Sequence, residues 1–409
     1  MGIYRELARN EGVFRILFSQ LTARFPFGML SIIVLLHMQQ QFGEYTAAGI
    51  VLATQSIGQA ISGPLSSRLM GRFGMRRVLW ITSVLCTGFI VVIAFVHLPL
   101  AITALISFAI GLTTPPITPA VRTLYPRLVP GNQISALFSL DAAAQELIWV
   151  LGPVIAVFVA AQFGTAVGLT VAASFMLFGG AWFILSRPVG LVKIPPSRGN
   201  LGAVLKRPTV VIATIIGFFF VASFAAIEAG VVRAFAPVDG GGGHSSIESG
   251  IVLALFAAGS LVGGLFVGTR PLRPWSLAIR IGIVLAGTLA CLVSLDIWWL
   301  SIVLFIGGLG TAPTFAGISS MIGSTIKFSE TAEAFGWIGT GQLVGVATGS
   351  AVAGIAIDAM GAQGAIIVSS ALITIAGLIA VFSTRWVPDL KGIDIEQPPE
   401  TGTITLPLP

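Results

Sequence analysis

Charge is what this chain has least of. Only 9% of its 409 residues are Asp, Glu, Lys or Arg, sixteen of them acidic and 22 basic, where an average soluble domain carries about 25%. A water-facing surface of normal size cannot be built from so few, so a conventional soluble domain is excluded. The two cysteines, Cys86 and Cys291, stand in separate apolar runs, with no spacing that suggests a disulfide framework or a metal site. Both are expected to be small packing residues. Three histidines, His37, His97 and His244, fall at or near the ends of apolar runs. None is placed to carry a proton through the middle of one, and solvated positions at the rim are expected for them.

What is abundant is apolar. Hydrophobic residues make up 55% of the chain and the mean hydropathy is +0.97. A helix needs about 20 such residues to cross a hydrocarbon core of about 30 Å. Twelve spans meet this requirement, near 14–38, 46–67, 77–97, 100–121, 133–161, 165–186, 208–232, 249–269, 276–295, 297–321, 331–357 and 363–384. The expected fold class is an all-α polytopic membrane protein embedded in a lipid bilayer. The first span follows Arg5, Arg9 and Arg15, but it is too long for a signal peptide and no small-residue cleavage site follows, so it is read as a retained helix.

Lys and Arg accumulate in cytoplasmic loops. With the amino terminus inside, 20 of the 22 basic residues fall in cytoplasmic segments, Arg122 and Arg280 among them, and only Arg24 and Arg233 fall elsewhere. Both termini are therefore expected in the cytoplasm, in a multi-pass protein of the cell (inner or plasma) membrane. The net charge of +6 reads as a topology signal that needs no nucleic-acid partner.

The chain also repeats itself. Gly111-Leu112-Thr113-Thr114-Pro115-Pro116 aligns with Gly308-Leu309-Gly310-Thr311-Ala312-Pro313 at an offset of 308 − 111 = 197 residues, and the same offset pairs Phe138 with Phe335, Gln145 with Gln342, Gly152 with Gly349 and Ala156 with Ala353. Spans 4 and 5 thus correspond to spans 10 and 11, and the twelve spans form two pseudo-symmetric six-helix halves. The expected division is an amino-terminal bundle over 1–186, a proline-rich basic linker over 187–207, a carboxy-terminal bundle over 208–387 and a disordered cytoplasmic tail over 388–409.

Twelve spans, two halves, a basic central linker and a basic hairpin after span 2 resemble the major facilitator superfamily, whose transporters are built from such repeats. The hairpin Gly71-Arg72-Phe73-Gly74-Met75-Arg76-Arg77 is similar to that family's signature between helices 2 and 3. The resemblance makes Gly71, Arg72, Gly74, Arg76 and Arg77 gating residues. The family's pattern has Asp where this chain has Gly71. Gly152-Pro153 in span 5 looks like the core of the motif of the exporting, antiport branch, with Ile148 and Ala156 standing where that motif has further glycines. The texture resembles bacterial efflux permeases for drugs or small metabolites. What the resemblance implies is a secondary transporter, without enzymatic activity or cofactor, that exports a small organic molecule against protons and works as a monomer.

Ionisable side chains at bilayer depth are rare and mark proton or substrate pathways. Glu146 lies in the middle of span 5 and Arg24 in span 1; at a rise of about 1.5 Å per residue they sit about 20 Å and 15 Å from the cytoplasmic ends of their spans. The two are expected to pair, either as a proton-coupled switch or as a static lock between the spans. Glu146 aligns with Leu343 in the second half, so the repeat does not demand a carboxylate there. Glu228, near the outer end of span 7 with Arg233 at i+5, reads as a second coupling or cation-attracting residue, or as a solvated rim charge. Asp141, five residues before Glu146 in span 5, is a lesser candidate.

Spans 4 and 10 carry backbone breakers at matching positions, Pro115 and Pro116 in one and Pro313 after a glycine-rich run in the other, which points to the substrate cavity and its hinges. Gln145, Gln342 and Gln55 are uncharged hydrogen-bonding groups suited to lining it, as is Gln59. Phe218, Phe219, Phe220, Phe224 and Trp337 are candidates for an aromatic wall, though any one Phe taken singly is better suited to facing lipid. The glycine run of 239–244 lacks the strand, helix and lysine context of a phosphate loop. Proton-coupled uptake of a small organic solute is the live alternative. A polytopic membrane enzyme fits less well, because no nucleophile–base pair or metal spacing is present, and a transport-dead sensor would bring a larger soluble segment.

Overall fold

The computed structural model describes residues 2–10, 12–43, 45–192, 194–195, 200–235, 245–266 and 270–390. The glycine run of 239–244 with His244, linker residues Lys193 and Arg198, and the tail from 391 onward lie outside the described residues. Among those described, all regular structure is helical.

A short helix α1 (Gly2–Arg9) precedes α2 (Val13–Phe42), α3 (Tyr45–Phe73) and α4 (Met75–Phe95). The fourth span is split into α5 (Leu100–Leu112) and α6 (Ile117–Leu124); α7 (Gly131–Phe163) follows. The sixth span runs through α8 (Thr165–Ser174), a π-helical turn Phe175–Gly179 and α9 (Gly180–Ile184). After a short α10 (Arg187–Leu191) come α11 (Pro208–Ala234), α12 (Ser245–Phe266) and α13 (Ser276–Ala290). The tenth span is divided into α14 (Ile297–Gly308) and α15 (Thr311–Thr325), and α16 (Phe328–Met360) and α17 (Ala362–Phe382) complete the fold. Among the described residues ten spans are long and apolar enough to cross a bilayer. Outside that set, α3 carries more polar residues and the apolar α13 is shorter.

The expected breaks in spans 4 and 10 are present, and their chemistry differs. Pro115 and Pro116 have no amide hydrogens to continue a helix. The Thr114 amide turns to the Gly111 carbonyl, and Thr114 Oγ1 donates to the Ile110 carbonyl at 3.0 Å, so the acceptor left over at the end of α5 stays satisfied. At the second break, Arg280 on α13 donates to the Pro313 carbonyl at 2.8 Å.

Repetition extends to the packing. A Cβ on Gly111 would lie 2.0 Å from the Gln55 carbonyl oxygen on α3, and one on Gly308 would lie 2.3 Å from the Phe256 carbonyl oxygen on α12. Likewise Gly152 meets the backbone of Gly28 on α2, and Gly349 meets that of Ala222 on α11. Each glycine lets two helix backbones touch where any side chain would hold them apart.

One end of the bundle gathers the basic residues. There Asn10 donates to Gln133 at 2.6 Å, Arg76 to the Ile184 carbonyl at 3.1 Å, and Leu390 to the Leu272 carbonyl at 2.8 Å. Leu390 is buried, so the chain remains docked past residue 388, where a disordered tail is expected from sequence. Two residues counted with the cytoplasmic basic segments lie buried inside helices. Arg122 sits in α6, which runs past the expected span end at 121, and Arg280 sits in α13, inside the span expected over 276–295. At the opposite end His37 shares hydrogen bonds with Thr165 Oγ1 at 2.8 Å and the Ile93 carbonyl at 3.1 Å; it is a half-buried structural group, not a solvated one. Across the two halves, α3 packs on α16, α7 on α12 and α15, and α6 on α15 and α16.

Candidate functional site

The helical period divides α7 into two working stripes. Asp141, Gln145, Ile148 and Gly152 recur at i, i+4, i+7 and i+11 and face α2, where Gly28 lies against the backbone of Ile148 and Gly152. Ser139, Ala143 and Glu146 form the second stripe and face α12, where Gly264 lies against Ser139 and Ala143.

The first stripe builds a buried charge network. Arg24 is 2% exposed and Asp141 is 1% exposed, and they form an ion pair at 2.9 Å. Asp141 Oδ1 also accepts from Gln20 Nε2 at 3.0 Å and from the Tyr125 hydroxyl at 3.0 Å. Arg24 donates to Gln20 Oε1 at 2.8 Å and to Gln145 Oε1. Arg122 approaches the other carboxylate oxygen, Nε to Oδ2 at 3.6 Å, and neither of these atoms has a hydrogen-bond partner. Two guanidinium groups therefore confront one carboxylate, with Gln20, Gln145 and Tyr125 sharing the load. At the offset of 197, Asp141, Tyr125 and Arg122 correspond to Ile338, Ile322 and Ser319. The network belongs to the first half alone.

The second stripe reaches across the seam. Ser260 on α12 donates to Glu146 Oε1 at 3.0 Å, and the Ala312 amide at the start of α15 donates to Ser260 Oγ at 3.2 Å. The expected Arg24–Glu146 pair is thus replaced by Arg24–Asp141. The reason is angular: residues 141 and 145 point at α2, and the next residue along is turned by about 100° toward α12. Expected pairing of Glu228 with Arg233 is also absent, since α11 continues unbroken to Ala234 and both side chains are exposed on it.

Aromatic residues gather beside Ser260. Phe224 packs against Phe220, Phe256 and Phe315 with ring centroids 4.7, 5.3 and 6.4 Å apart. Phe256 lies one turn from Ser260 on α12, and Glu228 lies one turn beyond Phe224 on α11. Phe218 and Phe219 form a separate pair. Trp337 is elsewhere, half-buried 3.7 Å from the place a Cβ on Gly202 would take, near the basic end. Gln342 lies against Gly217 and Gln55 against Gly111; the Gln55 side-chain oxygen is buried without a partner. Pro115 and Pro116 are buried at the break between α5 and α6, and Gly152-Pro153 lies within α7 at its contact with α2. In the hairpin, Gly74 starts α4 with φ +87°, Arg76 bonds the end of α9, Arg72 stacks on Phe73, and Arg77 is exposed. Gly71 is half-buried at the end of α3.

Gln20, Arg122, Tyr125 and Ser260 escape a sequence reading centred on isolated charges. The i, i+4 spacing of Gln20 with Arg24 and of Asp141 with Gln145, which marks one polar seam between two helices, is a signal for Gln20; Arg122, Tyr125 and Ser260 carry no comparable signal. Among the described residues no three His, Cys, Asp or Glu side chains gather as a metal site.

The family model for the Major Facilitator Superfamily matches residues 16–276 and 243–402. This chain belongs to the Major Facilitator Superfamily. Within the superfamily it resembles the multidrug resistance protein MdtG of Klebsiella pneumoniae strain 342, at 22% identity over 188 residues. That match spans 45% of this chain and 45% of the relative. Among solved structures, a bacterial homologue of the iron transporter ferroportin in its outward-facing state superposes with a TM-score of 0.73 at 15% identity, covering 91% of this chain and 98% of the other. The Escherichia coli fucose:proton symporter FucP gives 0.68 at 15% identity, over 90% and 97%. At these identities the structures attest the superfamily fold, that of a multi-pass membrane protein.

Proposed function

We propose that this protein is a secondary active transporter that exports a small organic compound in exchange for protons. The observation that carries the reading is the hydrogen bond between Glu146 and Ser260, which places an ionisable carboxylate on the seam between two halves that must separate in alternating access. Protonation of Glu146 removes the charge that Ser260 and the α15 amides hold, and so weakens the seam. The Arg24–Asp141–Arg122 network anchors the stripe beside it and keeps α7 registered on α2.

The substrate side of the proposal rests on the aromatic cluster. Phe224, Phe256 and Phe315 offer ring faces between two carboxylates, Glu146 toward one side and Glu228 toward the other. A lipophilic cation is the ligand such a surface favours. The multidrug name of the relative from Klebsiella agrees with export of this kind. In this proposal 1–186 and 208–387 rock as two bodies joined by 187–207, both termini lie in the cytoplasm of a cell-membrane protein, and a monomer is the working unit. Proton-coupled uptake remains the second reading, supported by Ile148 and Ala156 standing where the antiport motif carries glycine.

The direction of proton movement tests the proposal. In proteoliposomes with an internal pH dye, tetraphenylphosphonium added outside as substrate must release protons from the lumen as it enters. Proton entry together with the substrate would assign symport instead.

A further inference from the structure

The six arginines from Arg68 to Arg127 occupy a stretch of chain without a single acid: after Glu44 the next carboxylate in sequence is Asp141. The positive charge at the end of α3 must therefore be answered from another element. The described structure shows where. Arg68 Nη1 lies 3.7 Å from Glu333 Oε2 on α16, in the opposite half, and the other oxygen of Glu333 accepts the Gly202 amide of the connecting segment at 2.7 Å.

Glu333 is 2% exposed. A carboxylate so deeply buried is costly unless both oxygens are engaged, and here each oxygen faces a different segment of chain. Gly202 has φ +84°, a left-handed conformation that only glycine adopts without strain and that opens the short 3₁₀ turn Ala203–Lys206. A second contact fixes the same segment, Arg207 to Glu330 at 3.7 Å.

The clasp ends a longer zipper. Moving along α16 toward its start, Thr340 Oγ1 donates to the Ala60 carbonyl at 2.7 Å, and a Cβ on Gly336 would lie 2.5 Å from the Gly63 carbonyl oxygen. Glu333 then meets Arg68. Two antiparallel helices from opposite halves thus run from backbone contact into an ion pair, with the connecting segment tied to the same carboxylate.

We propose that Glu333 is the positioning residue that holds the basic end closed, binding α3 and the connecting segment to α16 through one side chain. Opening that end requires Glu333 to release Arg68, while its bond to the Gly202 amide and the Arg207–Glu330 contact tie the connecting segment to α16.

Spin labels at Phe73→Cys on α3 and Lys327→Cys at the start of α16, with Cys86 and Cys291 replaced by alanine, report the separation of the two helices in nanodiscs by pulsed dipolar spectroscopy. The test uses neither substrate nor a pH gradient, so its outcome is independent of the antiport reading. One short-distance population dominates in the unmodified clasp. Glu333→Ala lowers the closed-to-open ratio about tenfold, the effect of losing a hydrogen bond to a charged group. Glu333→Gln keeps an acceptor for Gly202 and loses the charge, so it shifts the ratio less, and Arg68→Ala matches it. If Glu333→Ala fails to fold, the other two variants decide alone. Distance distributions unchanged in both Glu333→Gln and Arg68→Ala would overturn the proposal.

Discussion

Glu146 and Ser260 meet across the seam of the two halves, with the serine hydroxyl donating to the carboxylate at 3.0 Å while its oxygen receives the Ala312 amide at 3.2 Å. Ala312 lies in the first turn of α15, where amides have no partner within the helix and the dipole is positive. The break between α14 and α15 therefore delivers a helix terminus to a carboxylate from the other half, relayed by one hydroxyl. An interrupted helix in this position serves the charge it faces.

Removing the relay gives the first prediction. Ser260→Ala leaves Glu146 without its donor and is expected to reduce proton-coupled substrate flux about tenfold, the scale of one hydrogen bond to a charged group. Ser260→Thr keeps the hydroxyl and restores most of the flux. Equal loss in both variants would assign the effect to packing.

Arg24 and Asp141 support a prediction about stability. Truncating Arg24 to methionine leaves Asp141 buried beside Arg122 alone, and breaking a buried pair costs about 3–5 kcal/mol. The thermal unfolding midpoint in detergent should fall clearly for Arg24→Met and recover in part for Arg24→Met combined with Asp141→Leu. Additive losses in the double variant would mean that the two residues do not act as a pair.

Much of this architecture is legible in the sequence because the bilayer leaves few options. The spans, the breaks at Pro115-Pro116 and near Gly310, and the repeat at offset 197 all follow from length, proline chemistry and register. Choice of partner is where charge alone misleads. Arg24 and Glu146 lie at similar depth, yet depth says nothing of the angle around the helix, and the i, i+4 stripe of Asp141 and Gln145 decides it. Arg122 reads as a loop residue because short connections hide where a helix ends. The π-helical turn at Phe175–Gly179, which sets Gly179 against the backbone of Thr22 and Ala23, has no signal in propensity. Glu333 is overlooked because its partners, Arg68 and Gly202, are remote in sequence.

A steric prediction concerns Gly336. Its Cβ would lie 2.5 Å from the Gly63 carbonyl oxygen, while Gly339, less than one turn away on α16, has nothing within 4 Å. Gly336→Val should force α3 and α16 apart and raise the reactivity of a cysteine placed at Thr340 toward a reagent applied from the basic end. Gly339→Val should leave that reactivity unchanged. Identical behaviour of the two valines would contradict the close crossing.

Phe224 and Glu228 carry the prediction about ligand class. Phe224→Ala should weaken tetraphenylphosphonium binding by about 0.5–2 kcal/mol, the range of a cation over an aromatic face. Glu228→Gln should weaken binding of the cation and leave a neutral analogue of the same shape unaffected. Calorimetry on the purified protein measures both. Equal loss for charged and neutral ligands would remove Glu228 from cation recognition.

In the proposed exchange Glu146 carries the proton. The most direct test of this role compares the unmodified protein with Glu146→Gln in proteoliposomes, following substrate and luminal pH together, first under an imposed pH gradient and then with substrate equilibrating downhill. Glu146→Gln should no longer concentrate substrate against the gradient and should show no substrate-triggered proton movement, while downhill exchange persists. Full coupled flux in the variant would contradict this role, leaving Glu146 a structural contact of the seam.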